Sequence, residues 1–256
     1  MVRSAIDSVD MDLILPMLSV VDQGRHKYTI PCLDHDRPEF YWIFRNLDFK
    51  QWNNPRCSQV LWLSGPPERN IDQVSSYIVD LEEKTALKTE HIVLYFFCSS
   101  VSTNESIVDV FFHTLLYEIV RYLPMNEKTT VVKSFLLTLH EQAFKTATSP
   151  SWKTRQLNEE DPPDKKIKKL LKAPTNHLCA ALEAALGYLH KREISIIVDG
   201  LDKKKIELIM GVRAFIKCLQ QRTPKAKILL TSRAQAEIKE VLSEFPCIEY
   251  DKERKG

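Results

Sequence analysis

The chain has 256 residues, 44% apolar and 27% charged, enough to bury a sizeable core and to exclude a chain that is disordered throughout. Its 36 basic and 34 acidic residues leave a formal net charge of +2, so overall charge gives no reason to expect a nucleic acid or an anionic membrane as partner. Only six residues are glycine, about 2% against the roughly 7% of an average protein, and phosphate-gripping loops are usually built from glycine.

Residues 1–21 carry Asp7, Asp10 and Asp12 where a signal peptide needs an uninterrupted apolar core. No apolar run approaches the roughly 18 residues of a membrane span. Residues 36–52 are expected as one amphipathic helix, capped by Asp36 with Pro38 in its first turn, turning Phe40, Ile43, Phe44, Leu47 and Phe49 inward. An apolar strand follows at 60–64, then a helix at 72–84 with Val74, Ile78 and Leu81 on its apolar side. After a second strand at 92–98, Asn104 is the expected N-cap of a helix to residue 122, whose wide apolar face holds Ile107, Val108, Phe111, Leu115, Leu116 and Ile119. Pro124 ends it, and a further helix is expected over 126–145.

The stretch 147–173 differs in kind: it contains Pro150, Pro162 and Pro163 and the basic run Lys165, Lys166, Lys168, Lys169 and Lys172, and is expected as an exposed loop. No aromatic residue is interleaved with the lysines to stack on bases, so the run is taken as solvated rather than as a nucleic-acid contact. Beyond it come a helix at 175–191 with Leu178, Leu182, Leu186 and Leu189, a strand at 194–199, a helix at 206–221, and strands at 228–231 and 247–250. Four of the five strands are almost wholly apolar, as expected where helices bury both faces of a sheet. The expected fold is therefore α/β: a three-layer αβα arrangement around a mainly parallel five-stranded sheet, with residues 1–56 as a helical lead-in and 57–256 as the main domain.

Six cysteines, Cys32, Cys57, Cys98, Cys179, Cys218 and Cys247, lie far apart with no CxxC pair. Zinc-ligand spacing is absent, and free, mostly buried thiols in a reducing cytoplasm are expected. His113 and His140 lie in helical patterns without a carboxylate or nucleophile at useful spacing and are read as satisfied or exposed rather than catalytic.

Three segments follow the C-terminal ends of strands, where open α/β sheets carry their ligands. They are Gly65-Pro66-Pro67-Glu68-Arg69-Asn70-Ile71-Asp72, then Asp199-Gly200-Leu201-Asp202, then Thr231-Ser232-Arg233. With the aromatic-rich Phe40-Tyr41-Trp42-Ile43-Phe44, the Trp52 before the first strand, Leu61-Trp62-Leu63 and the paired Phe96-Phe97, they carry a resemblance over about residues 15–250. The sequence resembles the NACHT-like domains of STAND-class P-loop NTPases, especially the nephrocystin 3-like N-terminal domain of fungal NLR-type proteins. That resemblance implies a P-loop NTPase fold, ATP or GTP bound with magnesium, and a role as an oligomerisation switch in recognition and cell death.

The departures from the family pattern bear directly on function. A Walker A loop needs a second glycine, a Lys on the β and γ phosphates and a Ser or Thr hydroxyl on magnesium. At those positions stand Asn70, Ile71 and Asp72, and only Gly65 is kept. Pro66 and Pro67 remove two backbone N–H groups, and Asp72 places negative charge where phosphate would sit. The resemblance makes Asp199 a remnant magnesium carboxylate and Asp202 a remnant of the hydrolytic end, but Lys203 replaces the acidic residue that usually follows. Arg233 is placed to meet an anion, and Arg69 is the nearest substitute for the lost Lys.

The leading expectation is a degenerate, catalytically inactive NTPase-like domain without cofactor that acts through protein partners, including other NLR-type chains. The alternative is an ATP- or GTP-binding signalling NTPase with a non-standard loop, using Arg69, Asp199, Asp202 and Arg233. A third expectation is an isolated fragment, because the chain stops soon after the fifth strand, before the helical and repeat domains that follow in the family.

Overall fold

The computed structural model describes residues 6–7, 10–18, 23, 41–54, 59–66, 71–87, 89, 91–101, 106–145, 161–189, 192–203, 206–222 and 226–250. In chain order the first elements are α1 (Met11–Leu18), α2 (Tyr41–Arg45), α3 (Leu47–Trp52), β1 (Val60–Gly65), α4 (Ile71–Ala86), β2 (Ile92–Phe97), α5 (Ile107–Arg121) and α6 (Met125–Lys145). They are followed by α7 (Pro163–Leu171), α8 (Thr175–Gly187), β3 (Ile194–Asp199), α9 (Ile206–Arg222), β4 (Ala226–Arg233), α10 (Ala236–Leu242) and β5 (Cys247–Glu249). The chain forms two compact units, one from residues 1–21 and 105–189, the other from 22–104 and 190–256.

In the second unit the five strands pair entirely in parallel, in the order β2-β3-β4-β1-β5. Every residue of β1, β2 and β3 is buried, the consequence of helices on both faces. On one face Leu61, Leu63, Val93, Tyr95, Phe97, Ile197, Leu229 and Ile248 form one core with Ile43, Phe49, Trp52 and the inward side of α4. On the other, Trp62, Leu94, Ile196 and Leu230 are equally buried. The third layer is α9 and α10, which supply Leu208, Val212, Phe215, Ile216, Ile238 and Leu242 to the interior. The three-layer αβα architecture read from the sequence is the one adopted.

The single helix expected over 36–52 is two. Asn46 interrupts it, and its side chain accepts from the backbone N–H groups of Asp48 and Phe49, which starts α3 afresh. Restarting the turn changes its phase, so Leu47, expected inward, is 73% exposed, and Trp52 takes the buried position with Nε1 donating to the Ile228 carbonyl at 2.9 Å. Asp36, Pro38 and Phe40 lie outside the described residues. On α4 the apolar side is also rotated from expectation: Leu81 is only half-buried, while Ser75, Val79 and Glu82 are inside.

The first unit is helical, with α8 packed on α5 and α6, α7 on α6, and α1 on α5. Ser106, not Asn104, caps α5, accepting from the Asp109 N–H; Asn104 lies outside the described residues. His113 is buried and its Nε2 meets the Leu171 carbonyl at 2.9 Å, a structural role. The expected loop over 147–173 is corrected in its second half: residues 163–171 form α7, while 147–160 fall outside the described residues. Pro163 suits a first helical turn, and Ile167, Leu170 and Leu171 recur at helical spacing and are buried. Lys165 and Lys169 both bind the Asp161 carboxylate and hold its pKa at about 2, so the basic run is in part internally neutralised. Cys98 and Cys179 are buried thiols outside any disulfide, Cys218 and Cys247 half-buried ones, and Cys32 and Cys57 lie outside the described residues.

Candidate functional site

The register of the parallel sheet brings the three sequence segments to one edge. Gly65 pairs with Arg233, and Val198 with Leu230, so the ends of β1, β3 and β4 lie level. Between them opens a cleft of about 160 Å³ lined by Pro66, Ile71, Asp72, Asp199, Gly200, Asp202, Lys203, Thr231, Ser232 and Arg233. It lies at the carboxyl ends of the strands, where β1 runs between β4 and β5.

Asp199 is the most buried charged group of the cleft, 1% exposed. Its Oδ1 accepts from the Ser75 hydroxyl and from the Thr231 hydroxyl, both at 2.7 Å, and Thr231 Oγ1 in turn accepts from the Gly200 N–H at 3.1 Å. Its Oδ2 has no hydrogen-bond partner among the described residues. Burial therefore pushes the Asp199 carboxyl above its ordinary range, although Ser75, Thr231 and the nearby Lys203 charge oppose the rise. Ser75 belongs to none of the three sequence segments. It sits one turn after Ile71 on the inward side of α4, and a hydroxyl on that otherwise apolar stripe is the signal that would have found it.

Asp202 and Arg233 meet. The Arg233 N–H donates to Asp202 Oδ1 at 2.8 Å and its Nε lies 3.5 Å from Oδ2, so this cation is engaged by its neighbour strand end. Lys203 belongs to a short 3-10 turn, Leu201–Lys203, that follows Gly200. Its Nζ lies 3.8 Å from Asp72 Oδ2. Gly200 has a positive φ of 72°, and a Cβ there would meet the Lys203 Cδ at 3.1 Å, so the lysine stem lies along bare glycine backbone.

At the first segment Ile71 is buried in the core and its Cδ1 would stand 2.8 Å from a Cβ on Gly65. Tyr250, whose N–H donates to the Ser64 carbonyl at 2.7 Å, closes the other side and stacks on Trp42 with ring centroids 4.0 Å apart. Gly65, Ile71, Asp72, Asp199, Asp202 and Arg233 thus do come together; Arg69 and Asn70 lie outside the described residues. Among the described residues no group of three or more His, Cys, Asp or Glu side chains could hold a metal ion, and no helix is long and apolar enough to cross a membrane.

A parallel sheet in the order β2-β3-β4-β1-β5 with helices on both faces, its polar segments gathered at the ends of β1, β3 and β4, defines a protein of the doubly covered α/β class. Within that class, the family model described as "Nephrocystin 3, N-terminal" matches residues 40–160, the family to which the sequence motifs point. Among solved structures, one of Drosophila ORC bound to AT-rich DNA and Cdc6 is similar at 8% identity with a TM-score of 0.44, covering 90% of this chain. The present chain spans 58% of that one. None of the curated proteins compared matches the sequence.

Proposed function

We infer that the chain is a degenerate NACHT-like domain of NTPase type that does not hydrolyse nucleotide and acts as a cytoplasmic protein-interaction or signalling module. The observation that carries this reading is a pair of adjacent substitutions at the start of α4, one turned onto β1 and the other toward the end of β3. Ile71 turns a branched apolar side chain onto Gly65, where a triphosphate needs a lysine, and Asp72 takes the place of the magnesium hydroxyl and meets Lys203. Pro66 contributes no N–H to a phosphate nest. Magnesium with ATP or GTP, which the resemblance implies, does not fit this residue set: isoleucine stands at the lysine position, Arg233 is engaged by Asp202, and an acidic side chain stands at the start of α4.

The alternative, a signalling NTPase with a non-standard loop, rests on one specific observation: Asp199 Oδ2 is buried beside the cleft without a hydrogen-bond partner, as a cation ligand would be. Equilibrium binding of fluorescent ATP and GTP analogues with magnesium separates the two. The degenerate reading expects no saturation; tight binding that disappears in Asp199→Ala overturns it. If Ile71→Lys with Asp72→Ser creates binding, the scaffold is competent and only its loop has changed. The partners in this reading are proteins, including other NLR-type chains, and co-purification of the wild-type chain with such a chain is the corresponding measurement.

A further inference from the structure

The Asp202 carboxylate has Arg233, which leaves Asp72 and Asp199 as the cleft carboxylates without an arginine. One cation lies beside the first and acts on the second through its charge. The Lys203 ammonium stands 3.8 Å from Asp72 Oδ2, and its charge acts on Asp199, which carries the unpartnered Oδ2. It reaches this place because Gly200 has no side chain: the lysine Cδ, Cε and Nζ all lie 3.1 to 3.5 Å from where a Cβ would be.

We propose that the Lys203 ammonium is the resident cation of the cleft, a tethered positive charge that takes the electrostatic place of a divalent ion between Asp72 and Asp199 and so excludes one. A divalent ion entering the cleft would meet a fixed like charge at contact range, which costs affinity steeply in a partly desolvated site. A lysine on a short turn is always present, so the charge of the acidic cleft is partly offset without any soluble ligand. The proposal rests on the degenerate reading above and deepens it: the cleft is not merely deprived of its phosphate-binding lysine but carries its own counter-ion from the β3 end.

The test uses the whole chain and manganese as probe, with free Mn²⁺ measured by its paramagnetic resonance signal and melting followed with and without the ion. The wild type is expected to take up no Mn²⁺ in the millimolar range and to melt at the same temperature with it. Lys203→Met is expected to bind Mn²⁺ at least about tenfold more tightly, the effect of deleting one nearby unit charge, and to melt higher in its presence. Lys203→Arg, which keeps the charge, should behave as the wild type, and adding Asp199→Asn to Lys203→Met should abolish the gain. No gain in a folded Lys203→Met overturns the proposal, as does wild-type uptake equal to that of the variant. If Lys203→Met unfolds, Lys203→Gln is read in the same way; if both unfold, refolding driven by Mn²⁺ supports the proposal and failure to refold overturns it. Wild-type binding of manganese with ATP would instead overturn the degenerate reading itself, so the two failures are distinguishable.

Discussion

At the N-terminal edge of the sheet, Glu82 receives a donor on each oxygen: Lys227 Nζ at 2.9 Å on Oε1 and the Ser195 hydroxyl at 2.7 Å on Oε2. Ser195 Oγ then accepts from His91 Nε2 at 2.8 Å, and Lys227 also reaches Asn53 Oδ1 at 2.8 Å and lies 5.0 Å above the Trp52 ring. At the C-terminal edge, Asp199 is as deeply buried but has donors on only one oxygen. Helix α4 serves both edges from one inward stripe, with Ser75 near one end and Glu82 near the other. The contrast teaches where the fold is complete in itself. One buried carboxylate is fully satisfied by the protein, while the other lies in a cleft and keeps a free lone-pair site, as buried polar groups seldom do outside sites of function.

The largest expected effect breaks the comparison at its stronger end. Lys227→Met leaves Glu82 buried without its cation and should destabilise the chain by about 3–5 kcal/mol, the usual cost of orphaning a buried charge. Lys203→Met, whose lysine side chain is 30% exposed, should cost no more than about 1 kcal/mol. Urea denaturation of both measures the difference, and equal losses would mean that the two edges are alike.

Next in size is Gly65→Ala. Its methyl would meet Ile71 Cδ1 and the Tyr250 Cβ, which predicts a loss of about 1–3 kcal/mol from overpacking. Combining it with Ile71→Val should recover part of that loss, which a double-mutant cycle would read as coupling.

The smallest effects concern pH and should have opposite signs. His91 is held below its ordinary value chiefly by burial, with Lys227 acting the same way and Glu82 and Glu193 against it. Its neutral form is therefore favoured in the fold, so its contribution is fully present above the ordinary histidine value and is lost as pH falls below it. Asp199 is held above its ordinary value, so the folded state binds the proton more tightly than the unfolded one, and stability declines as pH rises out of the ordinary carboxylate range. Asp199→Asn should flatten that decline and stabilise the chain at neutral pH by about 1 kcal/mol, because a buried amide costs less than a buried carboxylate. His91→Gln should flatten the acid side instead. The remaining acid slope belongs in part to His113, buried and lowered to about 4, so only the difference between variant and wild type isolates the edge.

The layer order and the sheet were legible because the strands are continuous apolar runs, a pattern that few arrangements other than a doubly covered parallel sheet satisfy. The meeting of Asp199, Asp202, Arg233 and Gly65 was legible because each follows a strand, and strand ends in a parallel sheet share an edge. What escaped was set by a local change of helix phase, by a masked period and by three-dimensional neighbours. Leu47 reads inward by period until Asn46 is seen to restart the helix. Residues 163–171 read as a loop because prolines and lysines mask an apolar stripe at 167, 170 and 171. Ser75 and Glu82 lie on a helix whose inward side holds polar atoms only because the sheet offers them partners from β3 and β4. Lys203 reads as the loss of an acidic residue, and only the bare backbone at Gly200 shows where its ammonium goes.

The contact between Ile71 and Gly65 has a consequence for how such motifs are read. A glycine at the end of a first strand is ordinarily diagnostic of phosphate, since backbone must approach the ligand closely. In this chain the same position is crowded by a neighbouring isoleucine and by Tyr250, and an alanine would press on both whether or not any anion ever entered. Persistence of the residue in related sequences would then measure the tightness of a hydrophobic joint rather than the survival of a chemistry. The partner at position 71, not the glycine, is the residue that distinguishes the two.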